Sequence, residues 1–231
     1  MTITLITGGN KGLGYETARR LIAEGHQVYL GARNPERGQR AADDLGAQFV
    51  ELDVTDDASV ARAADELMRQ TGALDILINN AGIVGPHTSV ADLTGLDAQD
   101  VFNTNVFSIV RTTHAFLPLL NKSDATVIVN VSSGLGSFAL VHDQSRIESS
   151  VPGALYQASK SAVLMLTVQY ARQLPNIRIN AVDPGYTATD LNGHSGTQTV
   201  TEGTDAIVAM ATIAADGPTG TFTDRHGTVP W

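Results

Sequence analysis

The feature that most constrains this chain is an alternation. Short apolar runs recur along it, each followed by a longer stretch with the period of an amphipathic helix. Strands are expected at Thr2–Thr7, Gln27–Ala32, Ala47–Leu52, Leu74–Asn79, Thr126–Ser132, Ile177–Asp183 and Gly220–Thr223. Helices are expected between them, for example at Leu13–Glu24, Glu36–Leu45 and Ser59–Gln70. Runs such as "DILIN" and "TVIVNV" are almost continuously apolar rather than alternating, the signature of a parallel sheet covered on both faces. Parallel neighbours need crossover connections, and these are right-handed. The expected fold class is therefore α/β, a doubly wound parallel sheet of about seven strands with helices on both faces.

No linker-like stretch or internal repeat divides the 231 residues, so residues 1–231 are read as one domain. The chain has no cysteine, which removes disulfides, thiol catalysis and Cys-ligated metals and fits a reducing cytoplasm. A net charge of -9 argues against nucleic acid or an anionic membrane as partner. No basic region precedes an apolar signal core, and no run is long enough to span a bilayer. His87, His114, His142, His194 and His226 form no ligand spacing and the carboxylates form no cluster, so no metal is expected. Residues 139–153 and 186–203 are the least regular and are read as loops.

"LITGGNKGLGYETARRL" follows the first strand and opens the first helix. Gly8, Gly12 and Gly14 permit a tight turn and close approach of a ligand, and the helix N-terminus offers free N–H groups to a phosphate. Asn10, Lys11 and Leu13 belong to the same turn. Glycine-rich turns also arise for steric reasons, but this position in an α/β chain favours a Rossmann-type dinucleotide site. The second strand ends "VYLGARNPERG", with no acid to hold a ribose 2′-hydroxyl; Arg33 stands next, and Lys11 offers a second cation. Either alone reads as a solvated surface charge, but together they favour the 2′-phosphate of NADP(H) over NAD(H). Asp53, ending the third strand beside Val54, is suited to an adenine amino group or to a turn, with Thr55 and Asp56 equally able to cap the next helix.

"TGGNKGLG", "NNAG" at 79–82, Asn105 in a helical stretch, "NVSS" at 130–133, "YQASK" at 156–160 and "DPG" at 183–185 occur in that order. Together they resemble the short-chain dehydrogenase/reductase family over essentially the whole chain. The Asn-Lys in the glycine turn and "GARNPERG" are similar to its NADPH-dependent carbonyl reductase branch. The resemblance implies a hydride transfer between nicotinamide and a small carbonyl or alcohol. Tyr156 would be the general acid, Lys160 would bind the nicotinamide ribose and lower the phenol's pKa, and Ser133 would hydrogen-bond the substrate oxygen. Asn105 would hold a water that relays protons from Lys160. Asn80, Ala81 and Gly82 would line the cofactor cleft. Thr187 and Thr189, after Pro184 and Gly185, would contact the carboxamide.

These residue types suit that chemistry. Hydride addition builds negative charge on oxygen, and a free phenol, with a pKa of about 10, is a poor two-way proton donor near neutrality. A cation four residues on shares its helix face and stabilises the phenolate. Ser132 is the rival of Ser133 and Asn79 that of Asn80. Packing accounts for part of the same helix through a stripe at Leu155, Ala158, Ala162 and Met165 or Leu166.

Residues 139–153 resemble an insertion of roughly ten residues, which in similar carbonyl reductases covers the face used for tetramers; a monomer is expected over a dimer or tetramer. The segment also suits a wall of the substrate pocket. Residues 186–203 resemble a substrate lid, mobile until cofactor binds. Trp231 is expected near that lid or at a subunit contact. The competing functions are a sugar-nucleotide epimerase, disfavoured by the short chain, and an NADPH-binding sensor or regulator without turnover.

Overall fold

The computed structural model describes all 231 residues. Its strands are β1 (Ile3–Thr7), β2 (Gln27–Ala32), β3 (Gln48–Glu51), β4 (Ile76–Asn79), β5 (Val127–Val131), β6 (Arg178–Val182), β7 (Phe222–Asp224) and β8 (Gly227–Thr228). Its helices are α1 (Gly12–Ala23), α2 (Pro35–Leu45), α3 (Asp57–Thr71), α4 (Gly95–Phe102), α5 (Ser108–Leu120), α6 (Phe138–His142), α7 (Ala154–Gln173), α8 (Val200–Gly203) and α9 (Asp205–Ala211). The strands form one sheet in the order β3-β2-β1-β4-β5-β6-β7-β8. All neighbours are parallel except β7 and β8, a short antiparallel pair whose second strand, β8, the sequence reading took as tail.

Alternation along the strands decides what each face carries. Leu5, Leu77 and Ile128 face one way, against α3 and α5 through Val60, Leu67, Phe116 and Leu120. Ile6, Ile78 and Val129 face the other, against α1, α2 and α9 through Leu21, Ala42 and Ile207. Both faces of the central strands β4 and β5 are buried, so those strands read as almost continuous apolar runs; full burial of one such side chain contributes about 1.5–3 kcal/mol. Strand order reverses between β1 and β4, and the carboxyl ends flanking that point form the crevice of an open α/β sheet.

Capping fixes where helices begin. The Asn34 side chain accepts from Arg37 N–H at 2.8 Å ahead of Pro35, and Gly46 ends α2 in the left-handed region. Asp56, not Thr55, caps α3.

Two expectations need correction. The two segments read as loops carry short helices: α6 and a turn at Ile147–Ser150 in the first, a turn at Asp190–Asn192 and α8 in the second. Ser137 caps α6 through Leu140 N–H at 3.1 Å, and Thr199 and Glu202 form a capping box on α8. The packing face of α7 is also not the expected stripe. Ser159, Lys160, Val163, Leu164, Thr167 and Ala171 are buried, whereas Ala158 and Met165 are exposed. The polar members go inside because each finds a hydrogen-bond partner there. Trp231 keeps an exposed face, with its ring stacked on Phe222 of β7 at a centroid distance of 5.8 Å, while its carbonyl accepts from Ala139 N–H at 3.1 Å.

Candidate active site

The site is built from the ends of successive strands. Gly8 follows β1, and φ of +65° there and +56° at Gly12 require glycine. A Cβ on Gly14 would lie 2.6 Å from Asn80 Nδ2 and 2.7 Å from the Gly8 carbonyl, so a side chain is excluded. Asn80 braces this turn: its Nδ2 donates to the carbonyls of Thr7 (2.9 Å) and Gly8 (3.2 Å). Thr7 Oγ1 accepts from the N–H groups of Asn80 and Ala81, each at 3.0 Å. The start of α1 has no side-chain cap. Its free N–H groups and the bare face of Gly12, where a Cβ would stand 3.8 Å from Thr189 Cγ2, fit a diphosphate. Asn10 and the partly buried Leu13 complete the turn, with Leu13 packed on the apolar face under α1.

The structure divides the remaining cofactor candidates. Arg33 is exposed just past β2. Lys11 is engaged with Asp190 at 2.8 Å, and His194 Nε2 lies 3.0 Å from the other Asp190 oxygen. Asp53 Oδ1 accepts from Thr55 N–H (2.9 Å) and Oγ1 (2.7 Å), a local turn. The Val54 side chain is buried in the core. Pro184 accepts at its carbonyl from Thr187 Oγ1 at 2.9 Å, and Gly185 turns at φ +69°.

Ser133, Tyr156, Lys160 and Asn105 are brought together. Lys160 is buried; its Nζ donates to the Val131 carbonyl at 2.8 Å and sits 5.6 Å over the Tyr156 ring. A Cβ on Gly82 would stand 3.4 Å from Asn105 Oδ1 and 3.7 Å from Lys160 Nζ, so Gly82 adjoins both. Asn105 lies in a π-helical turn, Asn103–Phe107, between α4 and α5. Its Oδ1 accepts from Ile83 N–H at 2.9 Å, and its Nδ2 donates to the Ile83 carbonyl (2.9 Å) and Ser159 Oγ (3.0 Å). The carboxamide thus ties the 80–83 segment to α7. Nothing in the helical periodicity signalled the π turn.

The two rivals have different surroundings from the residues they were weighed against. Ser132 is buried and donates to the Lys160 carbonyl at 3.1 Å, whereas the Ser133 hydroxyl faces the Tyr156 phenol. Asn79 is buried in a side-chain ladder: Thr112 Oγ1 donates to its Oδ1 (2.8 Å), and its Nδ2 donates to Asn130 Oδ1 (2.9 Å). Asn130 Nδ2 in turn donates to Thr167 Oγ1 at 2.9 Å, pinning α5 and α7 to the sheet.

Electrostatics at the site differ from expectation. Burial, with the Asp183 charge adding to it, pushes the Tyr156 phenol up to about 12, against a hydrogen bond from Ser133. Burial pushes Lys160 down to about 8, with Asp183 pulling the other way. The cation leans on the Val131 carbonyl, and burial is the largest influence on the phenol. The sequence reading also missed Glu148 of the insertion: a Cβ on Gly134, next to Ser133, would lie 3.2 Å from its Oε1. Arg146 holds that carboxylate at 3.0 Å.

A glycine turn at a switch point and a Tyr–Lys pair beside a strand-end serine define a nucleotide-linked α/β oxidoreductase frame. The family profile for short chain dehydrogenases matches residues 2–199, and the chain belongs to that family. Short-chain dehydrogenase/reductase 1 of Saponaria officinalis is 33% identical, the match covering 98% of this chain and 95% of that protein. Among solved structures, an NADPH-bound carbonyl reductase from chicken fatty liver has a TM-score of 0.88 at 27% identity, with both chains covered in full. The carbonyl reductase Sniffer of D. melanogaster has a TM-score of 0.89 at 25% identity, again over both full chains.

Proposed function

We propose that the protein is an NADPH-dependent carbonyl reductase, acting on a small aldehyde or ketone or on the corresponding alcohol in reverse. The observation that carries this reading is the meeting of Ser133, Tyr156, Lys160 and Asn105 around Gly82, beside a phosphate-ready glycine turn. When bound, the dihydronicotinamide supplies the hydride. Gly8, Gly12, Gly14 and the first turn of α1 would hold its diphosphate, and Lys160 its nearby ribose.

The Ser133 hydroxyl donates to the substrate carbonyl oxygen and fixes it beside the Tyr156 phenol. Tyr156 gives its proton to that oxygen as negative charge develops, and the phenolate draws a replacement proton from the Lys160 side. Both donors of the Asn105 carboxamide are engaged with Ile83 and Ser159, and its Oδ1, which accepts one bond from Ile83 N–H, keeps a second lone pair for a relay water. Preference for NADPH is supported by the missing acid after β2 and by the cations Arg33 and Lys11. Residues 186–203 serve as a lid, with Thr187 and Thr189 on the carboxamide side.

The test is titration with NADPH and NADH, followed by NADPH consumption against a panel of aldehydes and ketones. Tight NADPH binding with turnover is expected; binding without turnover on any carbonyl would favour a sensor instead. Arg33→Asp should move preference towards NADH, and an unchanged preference would remove Arg33 from the 2′-phosphate.

A further inference from the structure

Arg111 of α5 carries a guanidinium that the proposed reaction does not use, and its side chain is only 18% exposed. Its Nη1 donates to two main-chain carbonyls, those of Val54 and Asn103, each at 3.4 Å, and its Nε donates to Asp57 Oδ1 at 3.0 Å. The acceptors come from two places. Val54 and Asp57 belong to the connection from β3 into α3, the turn that carries Asp53. Asn103 opens the π turn that carries Asn105, and its carbonyl also accepts from Ser108 N–H. The Asp57 side chain is 84% exposed, so the ion pair itself contributes little. What the guanidinium adds is geometry: it is planar, its donors are fixed relative to one another, and it holds both carbonyls at one separation. A π turn shifts its carbonyls out of the α-helical pairing, and an outside donor on the first of them fixes where the bulge begins. Asn105 follows two residues on, within reach of Gly82 and Lys160.

We propose that Arg111 is a positioning residue of the hydride-transfer site: its guanidinium clamps the turn after β3, at the adenine end of the cleft, to the first carbonyl of the π turn, and so sets Asn105 beside Lys160. This rests on the reading of the cleft as an NADPH site with Asn105 in its proton relay. Arg111 acts through two backbone segments and not on the reacting atoms. Losing the clamp would loosen both segments together, so one substitution reaches both ends of the cleft. A misplacement of about 1 Å at a reacting site costs up to about a hundredfold in rate, which makes such a clamp matter more to chemistry than to folding. Lysine is no substitute: as a point charge it can pair with Asp57, but it cannot span two carbonyls in a fixed fork.

The experiment compares the parent, Arg111→Met, Arg111→Lys and Asp57→Asn, and repeats both Arg111 substitutions in Asn105→Ala. The first readout is single-turnover hydride transfer at saturating NADPH, followed as loss of the NADPH absorbance with a reducible aldehyde or ketone. The second is calorimetric binding of adenosine 2′,5′-bisphosphate, which carries only the adenine end. Arg111→Met and Arg111→Lys should each slow transfer about tenfold and weaken the bisphosphate about threefold. Asp57→Asn, which removes the pair and keeps the clamp, should match the parent. In Asn105→Ala the Arg111 substitutions should slow transfer further by less than about twofold, because the group they position is gone. A full tenfold loss in that background overturns the proposal, as does parent-like transfer in either folded Arg111 variant. An equal loss in Asp57→Asn also overturns it, by assigning the effect to the ion pair. So does failure of both Arg111 variants to fold, which would make Arg111 structural only. No transfer by the parent on any carbonyl would overturn the reductase reading. The clamp is then decided by the bisphosphate alone, supported if Arg111→Met weakens it and overturned if it does not.

Discussion

Two buried polar groups lie a few residues apart in this chain and behave in opposite ways. The ladder Thr112–Asn79–Asn130–Thr167 is neutral and satisfied link by link, and Thr167 ends it by donating to the Val163 carbonyl at 2.9 Å. The cluster of Tyr156, Lys160 and Asp183 is ionisable, and burial pushes each of its members towards its neutral form. β5 feeds both, through Asn130 and through the Val131 carbonyl under Lys160. Neutral partners with complete hydrogen bonding stabilise the fold. Ionisable groups taken out of water store a readiness to exchange protons instead.

That contrast predicts which variants lose activity and which lose stability. The largest effect is expected from Tyr156→Phe: turnover should fall about a hundredfold to ten-thousandfold, the span of a lost general acid, with NADPH affinity nearly unchanged in a binding titration. Retained turnover would remove Tyr156 as the donor. Asn130→Leu should do the reverse. It leaves Asn79 Nδ2 without its acceptor and Thr167 Oγ1 without its donor, at a cost of about 1–3 kcal/mol, visible in thermal or urea unfolding, with the pH profile of turnover unmoved. A moved profile would mean that the ladder and the reactive cluster are one network.

The pH dependence follows from Lys160. Its pKa in the fold is pushed down to about 8 from the ordinary 10.5, so the ammonium is present below about 8 and lost as pH rises through it. Carbonyl reduction should decline on that limb, well before the phenol at about 12 contributes. The same sign means that the buried ammonium opposes folding below about 8, an opposition relieved between 8 and 10.5. A limb near 10 in kcat/KM would place Lys160 in a wetter setting than its burial indicates. The smallest effect is expected at the rim. Asp190→Asn frees Lys11 from an exposed pair worth under about 1 kcal/mol, so NADPH affinity should rise by no more than about fivefold and NADH affinity should not change.

The sheet was legible in sequence because both its faces are buried, and continuous apolar runs report that directly. β2 matches its expected limits, Gln27–Ala32, residue for residue. Ser133, Tyr156 and Lys160 were singled out in sequence by short motifs whose order resembles the family, and the fold brings the three side chains together. Asp183 was quoted only as part of a motif, since an aspartate before Pro-Gly reads as turn chemistry and its burial depends on β7 and the insertion, far away in the chain. The α7 stripe misled because polar side chains there find partners on other elements, which period counting does not register. The box Thr199–Glu202 on α8, by contrast, has the capping spacing in plain view.

The wall beside the serine turn has a consequence for the order in which the molecule assembles. Ser137, which caps α6, donates to the Pro230 carbonyl at 2.7 Å, and Ala139 N–H donates to the Trp231 carbonyl, each across more than ninety residues. Contacts of that sequence separation close large loops and form late, after the local β1–α1–β2 unit has its partners. The β1–α1–β2 unit can therefore take shape early in folding, while the brace of Asn80 on the glycine turn and the tie of α6 to residues 230 and 231 wait for distant parts of the chain. A partly folded chain would then hold its first strands in register before the two ends of the α6 wall are joined.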